Sequence, residues 1–221
     1  DPENIISNYG ADSARLFILS DSPPEKDVQW SEEGIISSFK FIQKLWNLNS
    51  KILYEIKKNH KNDSDENLTK YTNKFLKRVT ENLENFSYNK IIANLHEMYS
   101  FFTKELDKNY TTNTLIENYK KILIAMTPII PHFSNECLKT LNVEKINWPK
   151  YDEQFLKEDF VNIVVQINGK KRSLINTKMN TTENDLMEMV YTEENLKKYI
   201  NKENIKKTIF IKNKILNIIT Q

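Results

Sequence analysis

A short cationic segment that follows a turn signal is the part of the sequence best suited to bind an anion. Asn168 and Gly169 are residue types that readily adopt the left-handed conformations of a type I′ turn, so the chain is predicted to reverse there. Lys170, Lys171 and Arg172 follow in direct succession. Because adjacent positive charges repel one another, a phosphate-bearing polyanion would stabilise such a tip. A solvated hairpin tip would carry the same residues, and the residues alone leave both interpretations open.

Other residues extend this candidate RNA-binding site. Arg172 has a planar guanidinium group that can grip a phosphate or stack on a base, and Gln166 and Asn168 can hydrogen-bond base edges. Turn geometry already explains Asn168 without any ligand. A second basic group lies closer to the C-terminus, where a solvated face is an equal alternative to a phosphate track: Lys197, Lys198, Lys206, Lys207, Lys212 and Lys214.

A third candidate surface is one face of a predicted helix. Lys40, Lys44, Asn47 and Lys51 follow one another at intervals of three or four residues, which places them on the same side of a helix. That side can lie along an RNA backbone, or it can simply be solvated.

The residue patterns of common enzyme and metal sites are not found. The three glycines are too few and too scattered for a phosphate-cradling loop. His132 and Glu136 lie one helical turn apart, which a hydrogen bond on a helix surface explains. Cys137 is the only cysteine and is expected to be a small buried hydrophobe in a reducing cytoplasm. The other two histidines stand at no metal-binding spacing: His60 and His96. We therefore expect neither an active site nor a metal site within these residues.

Length and composition indicate an ordinary globular protein of one or two domains. The 221 residues are 39% hydrophobic and 28% charged. No apolar stretch approaches the ~18 residues of a membrane span, so no membrane partner is expected. The chain begins with Asp rather than Met, which suggests a piece of a longer protein. The net charge of +2 conceals an asymmetry, because eleven Lys or Arg face six Asp or Glu from Phe160 onward.

Four amphipathic helices are predicted in residues 31–147. The first begins at Ser31, which is followed by two acids, and its apolar positions recur at helical spacing: Ile35, Phe39, Ile42, Trp46 and Leu53. The second and third cover about 68–83 and 88–106, and the fourth runs from about 115 to 126, before Thr127 and Pro128. A shorter apolar turn through Phe133 and Leu138 follows. Short connections imply an antiparallel bundle, in which Trp30 and Trp46 are expected to be core anchors.

Near Trp148 the helical spacing of apolar residues gives way to short β-rich runs. Residues 148–159, which lie between the two patterns, are therefore predicted to be a linker. Residues 160–221 then read as a small α+β domain of order ββααββ. It comprises the hairpin, a helix capped by Thr181 and Thr182, a helix through Leu196 and Ile200, and strands at about 205–211 and 215–219. The predicted fold class is therefore mainly α: an antiparallel helical bundle followed by a small α+β C-terminal domain.

Several segments carry a family resemblance. Residues 1–6 (DPENII) and 9–19 (YGADSARLFIL) resemble the segment that follows the KMSKS loop in class I aminoacyl-tRNA synthetases. Residues 23–31 (PPEKDVQWS) and 124–133 (IAMTPIIPHF) look like the bacterial-type leucyl-tRNA synthetase family. Residues 1–30 would then lead from the catalytic loop into the bundle.

The C-terminal module gives the most specific match to that family. Trp148-Pro149, Glu158-Asp159, residues 165–170 (VQINGK) and residues 215–219 (ILNII) occur in the family's order and spacing. Lys171 departs from the family, which often has a small apolar residue there, and residues 211–214 replace a segment that often contains Pro-Gly. Valyl and isoleucyl enzymes share the early motif but lack this ending, and they remain the alternative within the class.

The resemblance implies a role in tRNA charging. The complete enzyme would activate leucine with ATP, transfer it to tRNA(Leu) and hydrolyse mischarged products in an editing domain. ATP and Mg would bind upstream of Asp1, so the fragment itself is expected to hold no cofactor and to be inactive alone. The bundle corresponds to the anticodon-binding-type domain, and the last domain to a module at the tRNA elbow and long variable arm.

The resemblance also implies the partners. They are tRNA(Leu) and the missing catalytic and editing domains, and the protein is expected to be a cytoplasmic monomer. Arg15, close to the lost catalytic loop, is expected to position the tRNA or the neighbouring fold. The competing hypothesis is a helical protein-interaction scaffold without RNA affinity, for which any RNA binding would be weak and independent of salt.

Overall fold

The computed structural model describes two compact units. It covers residues 1–20, 27, 29–59, 66–106, 108, 110–157, 160–200 and 204–221. The units are Asp1–Leu156 and Lys157–Gln221. Three predicted features lie wholly or partly outside the described residues: His60, Glu158-Asp159, and residues 23–26 and 28 of the PPEKDVQWS motif.

The first unit is helical. Its helices are α1 (Pro2–Tyr9), α2 (Ala11–Ser20), α3 (Glu32–Lys57), α4 (Glu66–Glu84), α5 (Tyr88–Glu105), α6 (Thr112–Met126) and α7 (Pro131–Thr140). Local chemistry sets several of these boundaries. The hydroxyls of Ser31 and Thr111 accept the backbone N–H groups of Gly34 and Thr114 at the starts of α3 and α6. The predicted mainly α class, with an α+β module after it, is confirmed.

The buried side of α3 differs from the predicted one. It is formed by Ile35, Ser38, Phe41, Ile42, Leu45, Leu48, Asn49 and Ile52. Trp46 is 39% exposed and forms a T-shaped ring pair with Phe133. Trp30 is 52% exposed and forms a T-shaped ring pair with Phe17. The prediction that the two tryptophans are core anchors is therefore wrong, because each ring lies at the margin of the helical layer.

The segment after α7 is not a free linker. Trp148 donates its indole N–H to Thr80 Oγ1 at 3.1 Å, and the amide of Asp152 donates to Asn73 Oδ1 at 2.7 Å. A short 3₁₀ turn, Glu153–Leu156, packs on α4. Residues 148–156 thus belong to the first unit, although they were predicted to lie in a linker.

The second unit is a four-stranded sheet with helices on one face. Its elements are β1 (Phe160–Ile167), β2 (Lys170–Lys178), α8 (Glu183–Thr192), α9 (Glu194–Lys197), β3 (Ile205–Ile211) and β4 (Ile215–Thr220). The strand order is β2-β1-β4-β3, with β1 and β4 parallel and the other pairs antiparallel. Alternate residues of β1, Ile163, Val165 and Ile167, are buried in the cluster that includes Leu186 and Val190 of α8.

Two further findings concern the helices. The predicted helix through Ile200 is shorter, because the Tyr199 amide bonds to Leu196 O at 2.9 Å and α9 ends at Lys197. Ile200 is nevertheless buried. No helix within the described ranges is long and apolar enough to cross a membrane.

Candidate nucleic-acid interface

The predicted hairpin turn is confirmed and lies at one end of the sheet. Asn168 and Gly169 have φ angles of 50° and 77°, as a type I′ turn requires. Ile167 pairs with Lys170 across the turn. The chain reversal therefore brings the three consecutive cations to the start of β2.

Hydrogen bonds to β4 hold this turn in place. Asn168 donates its side-chain amide to Thr220 Oγ1 at 3.1 Å and accepts the Thr220 N–H at 3.0 Å. The Gly169 N–H donates to Asn217 Oδ1 at 3.1 Å. The tip is thus anchored to the neighbouring parallel strand. Because Asn168 uses both atoms of its amide in this anchor, its predicted contact with a base competes with a structural role.

A β-bulge next to the turn gives Arg172 a contact that the sequence analysis missed. The register of β1 and β2 shifts at Val165 and Gln166, and Arg172 is the extra residue. Its guanidinium carbon lies 4.3 Å from the centre of the Tyr199 ring, and Nη1 donates to the Tyr199 hydroxyl at 3.3 Å. Lys198 Nζ lies 5.1 Å from the same ring. Tyr199 thus holds two of the predicted cations together.

The cations at the tip remain available to a ligand. Lys170, Lys171 and Arg172 are all exposed, and Gln166, which pairs with Lys171, is half-buried. Within the described part of the chain, no carboxylate forms a salt bridge with any of the three cations. The carboxylates of the described residues therefore do not neutralise their charge.

The fold divides the second basic group between the two ends of the sheet. The N-terminal end of β3, with Lys206 and Lys207, lies beside the end of β4 that anchors the turn, because Ile205 pairs with Thr220. The turn between β3 and β4, with Lys212 and Lys214, lies at the opposite end, where the Asn180 amide donates to Asn213 Oδ1. All six lysines of this group are exposed. The tip end therefore gathers Lys198, Lys206 and Lys207 with the hairpin cations.

The first unit carries the basic face of α3. Lys40, Lys44, Asn47 and Lys51 are all exposed, along about 16 Å of the helix. Beside them, His96 of α5 stacks on the Phe41 ring with centroids 3.8 Å apart. Burial, and then the charge of Lys44, lower the pKa of His96. The imidazole is thus held neutral near pH 7, and the positive charge of this face comes from its lysines.

Comparison with known proteins gives the family. A model described as the anticodon-binding domain of tRNA ligase matches residues 65–188, more than half of the chain. The chain belongs to this family. The match includes α4 to α7 and continues through β1 and β2 into α8.

Curated relatives of this tRNA ligase domain are leucine–tRNA ligases. The enzyme of Orientia tsutsugamushi (strain Boryong) is 39% identical over 228 residues, which cover 99% of this chain and 26% of the enzyme. The enzymes of Prochlorococcus marinus (strain MED4) and Thermosipho melanesiensis are 35% and 34% identical, over 99% and 100% of this chain. The chain spans about a quarter of these relatives, in their C-terminal part.

A solved structure shares the fold. It is a leucyl-tRNA synthetase of Agrobacterium radiobacter K84, crystallised in a ternary complex with tRNA and LeuAMS. It matches 100% of this chain and 30% of its own, with a TM-score of 0.78 and 19% sequence identity.

Arg15 of this tRNA ligase domain has an internal role. Its Nε donates to Ile129 O at 3.0 Å and its Nη2 to Pro128 O at 2.7 Å, although the side chain is largely exposed. These bonds fasten α2 to the carbonyls between α6 and α7. Its predicted contact with tRNA or a neighbouring domain stays a prediction.

The histidine next to that connection also has a structural partner. His132 Nδ1 lies 3.0 Å from Asp12 Oδ1, while Glu136 pairs with Lys139. The helix-surface bond suggested for His132 and Glu136 is therefore replaced by a contact between α7 and α2. In the part of the chain that the structure describes, no three His, Cys, Asp or Glu side chains are grouped to hold a metal.

Proposed function

We propose that this chain is the tRNA-binding part of a leucine–tRNA ligase and that it holds the body of tRNA(Leu) during charging. The observation that carries the proposal is the anchored hairpin tip, where Lys170, Lys171 and Arg172 are exposed and form no salt bridge with a described carboxylate. Such a tip supplies phosphate contacts at fixed positions, because β4 prevents the turn from moving.

The cations of the tip have different tasks under this proposal. Arg172 is pre-oriented by Tyr199, so its planar guanidinium loses little freedom when it contacts a phosphate. Lys170 and Lys171 attract and steer the RNA as mobile point charges. The α3 face adds a second, sequence-independent row of phosphate contacts through Lys40, Lys44 and Lys51.

The activity of the whole enzyme is also part of the proposal. Leucine activation, with ATP and Mg, and editing are assigned to the remaining three quarters of the relatives' length, so the fragment binds tRNA without charging it. Its surroundings would be the cytoplasm, with which the unpaired, buried thiol of Cys137 is compatible. We propose that it works as a monomer, with its tRNA and the other domains of the enzyme as partners.

A salt-dependent titration tests the proposal. The fragment is titrated with tRNA(Leu) and with a tRNA that has a short variable arm, before and after Lys170, Lys171 and Arg172 are changed to Ala. Each lost phosphate contact reduces the slope of log K against log salt by about 0.7 to 0.9, so the loss of three contacts in the triple variant should reduce it by roughly 2 to 3. Preference for tRNA(Leu) and a reduced slope are expected.

A control variant separates the tip from general positive charge. Changing Lys212 and Lys214 to Ala removes two exposed cations at the other end of the sheet, and it should reduce the slope less than the triple variant does. Weak binding to both RNAs that does not depend on salt would contradict the proposal and would favour a helical protein-interaction scaffold.

A further inference from the structure

The sheet of the second unit has an apolar row on the face opposite α8 and α9. Leu174 pairs with Val164, Val164 with Ile215, and Ile215 with Ile211, so one aliphatic side chain from each strand stands in the same row. We call these four residues the aliphatic row. Leu174 is 50% exposed and Ile211 is 52% exposed. The row crosses four strands, about 14 Å, and no described element of this unit covers it.

A second row of side chains, which is mostly polar, lies beside the aliphatic row on the side of the hairpin tip. Lys171 pairs with Gln166, Gln166 with Asn217, and Asn217 with Ile209. Amide side chains can donate to and accept from the edges of bases, which the aliphatic row cannot do. The open face therefore offers an apolar strip next to hydrogen-bonding groups.

Charge is segregated between the two layers of this unit. Residues 160–182 and 204–221, which form the strands and their turns, contain eight Lys or Arg and no Asp or Glu. Residues 183–197, which form α8 and α9, contain five Asp or Glu. The sheet layer is thus purely cationic and the helical layer is mainly acidic. A nucleic acid combines negative phosphates with apolar base faces. It therefore complements both the positive charge and the aliphatic row of the sheet layer.

We propose that the open sheet face is a second RNA contact, in which the aliphatic row packs against the flat faces of bases that the folded tRNA leaves unstacked. The cations at the tip end of the sheet would hold the flanking phosphates, and Gln166 would reach base edges. This inference rests on the proposed function. It adds an apolar contact whose contribution does not depend on salt, unlike that of the hairpin cations.

Two substitutions at the ends of the row test the inference. The double variant Leu174→Ala and Ile211→Ala removes apolar surface from half-exposed positions and leaves every charge in place. It should bind tRNA(Leu) about tenfold more weakly, with an unchanged slope of log K against log salt. The single variant Ile211→Trp enlarges the flat apolar surface and should bind more tightly. Thermal unfolding confirms that each variant is folded.

A matched control and separate outcomes keep the two proposals distinguishable. Met189 is 37% exposed on α8, in the acidic layer, and Met189→Ala should leave the affinity unchanged. If the unmodified fragment binds tRNA with a steep salt slope but neither the double variant nor Ile211→Trp changes the affinity, the inference is overturned and the proposed function stands. If the unmodified fragment does not bind tRNA, both fail.

Discussion

The carboxylate of Asp12 is predicted to be a main determinant of the stability of the helical unit. It accepts the N–H groups of His132 and Phe133 at 3.2 and 2.7 Å. These groups belong to the first turn of α7, and the residue at its N-cap position, Ile130, has no side-chain acceptor. Asp12, which is only 6% exposed, therefore caps α7 from a different helix.

The cost of Asp12→Ala follows from these contacts. Losing an N-cap acceptor costs about 0.5 to 2 kcal/mol, and the buried N–H of Phe133 would be left without a partner, which costs about 1 to 3 kcal/mol. The two estimates overlap, so we expect the free energy of unfolding to fall by about 2 to 3 kcal/mol. Asp12→Asn keeps one acceptor but loses the charge near the helix N-terminus, and should cost about 1 kcal/mol.

Urea denaturation followed by tryptophan fluorescence measures this effect. All three tryptophans lie in the helical unit, so the signal reports that unit alone. With a slope of about 2 kcal/mol per molar urea, Asp12→Ala should lower the midpoint by about 1 M. Glu136→Ala, an exposed acid of the same α7, is the control and should shift it little. If Asp12→Ala and Glu136→Ala behave alike, cross-helix capping is refuted.

Three further changes are predicted. Gly169→Ala should destabilise the hairpin by about 1 kcal/mol through its positive φ alone, since no atom lies within 4 Å of the added Cβ; amide exchange in β1 and β2 measures it. Asn73→Ala should lower the stability of the helical unit by about 2 kcal/mol and release residues 148–156 from α4, which quenching of tryptophan fluorescence detects. Burial raises the pKa of Cys137 to about 12 and that of Tyr119 well above its usual value, so both groups are neutral when folded. The unfolded groups ionise first, so the stability contributed by Cys137 should be intact below about pH 9 and lost toward pH 12; urea midpoints that stay constant from pH 8 to 11 would contradict this.

Local features of the fold could be predicted because their causes are local. The Asn168-Gly169 turn follows from the conformations that two adjacent residues tolerate, and the structure has it where predicted. The start of α3 was predicted from the Ser31 hydroxyl that caps it, whereas α6, predicted from about residue 115, begins at Thr112 because the Thr111 hydroxyl caps it. The helical spacing of apolar residues was also sufficient to predict the long helices, because burial of one side of a helix produces that spacing.

Features that depend on distant partners were missed. Whether Trp46 is buried depends on how α3 is rotated against α7, and its own spacing does not determine that. The contact of Arg172 with Tyr199 requires the bulge in β2, which no residue type signals. Trp148 looked like the start of a linker because its partner, Thr80, is far away in the sequence. The aliphatic row likewise exists only in the register of four strands.

Two segments that carried the family resemblance prove to be partners of each other. The segment YGADSARLFIL supplies Asp12 and Arg15, and the segment IAMTPIIPHF supplies the N–H groups and carbonyls that these side chains bind. A need to keep α2 fastened to the α6–α7 connection therefore explains why such residues stand there, without any contact to RNA. At the hairpin tip, Asn168 and Gly169 anchor the turn and Arg172 contacts Tyr199, whereas Lys170 and Lys171 form no salt bridge with a described residue. For this reason the two lysines of the tip are better candidates for tRNA contact than Arg15, and Arg172 joins them because its side chain stays exposed beside Tyr199.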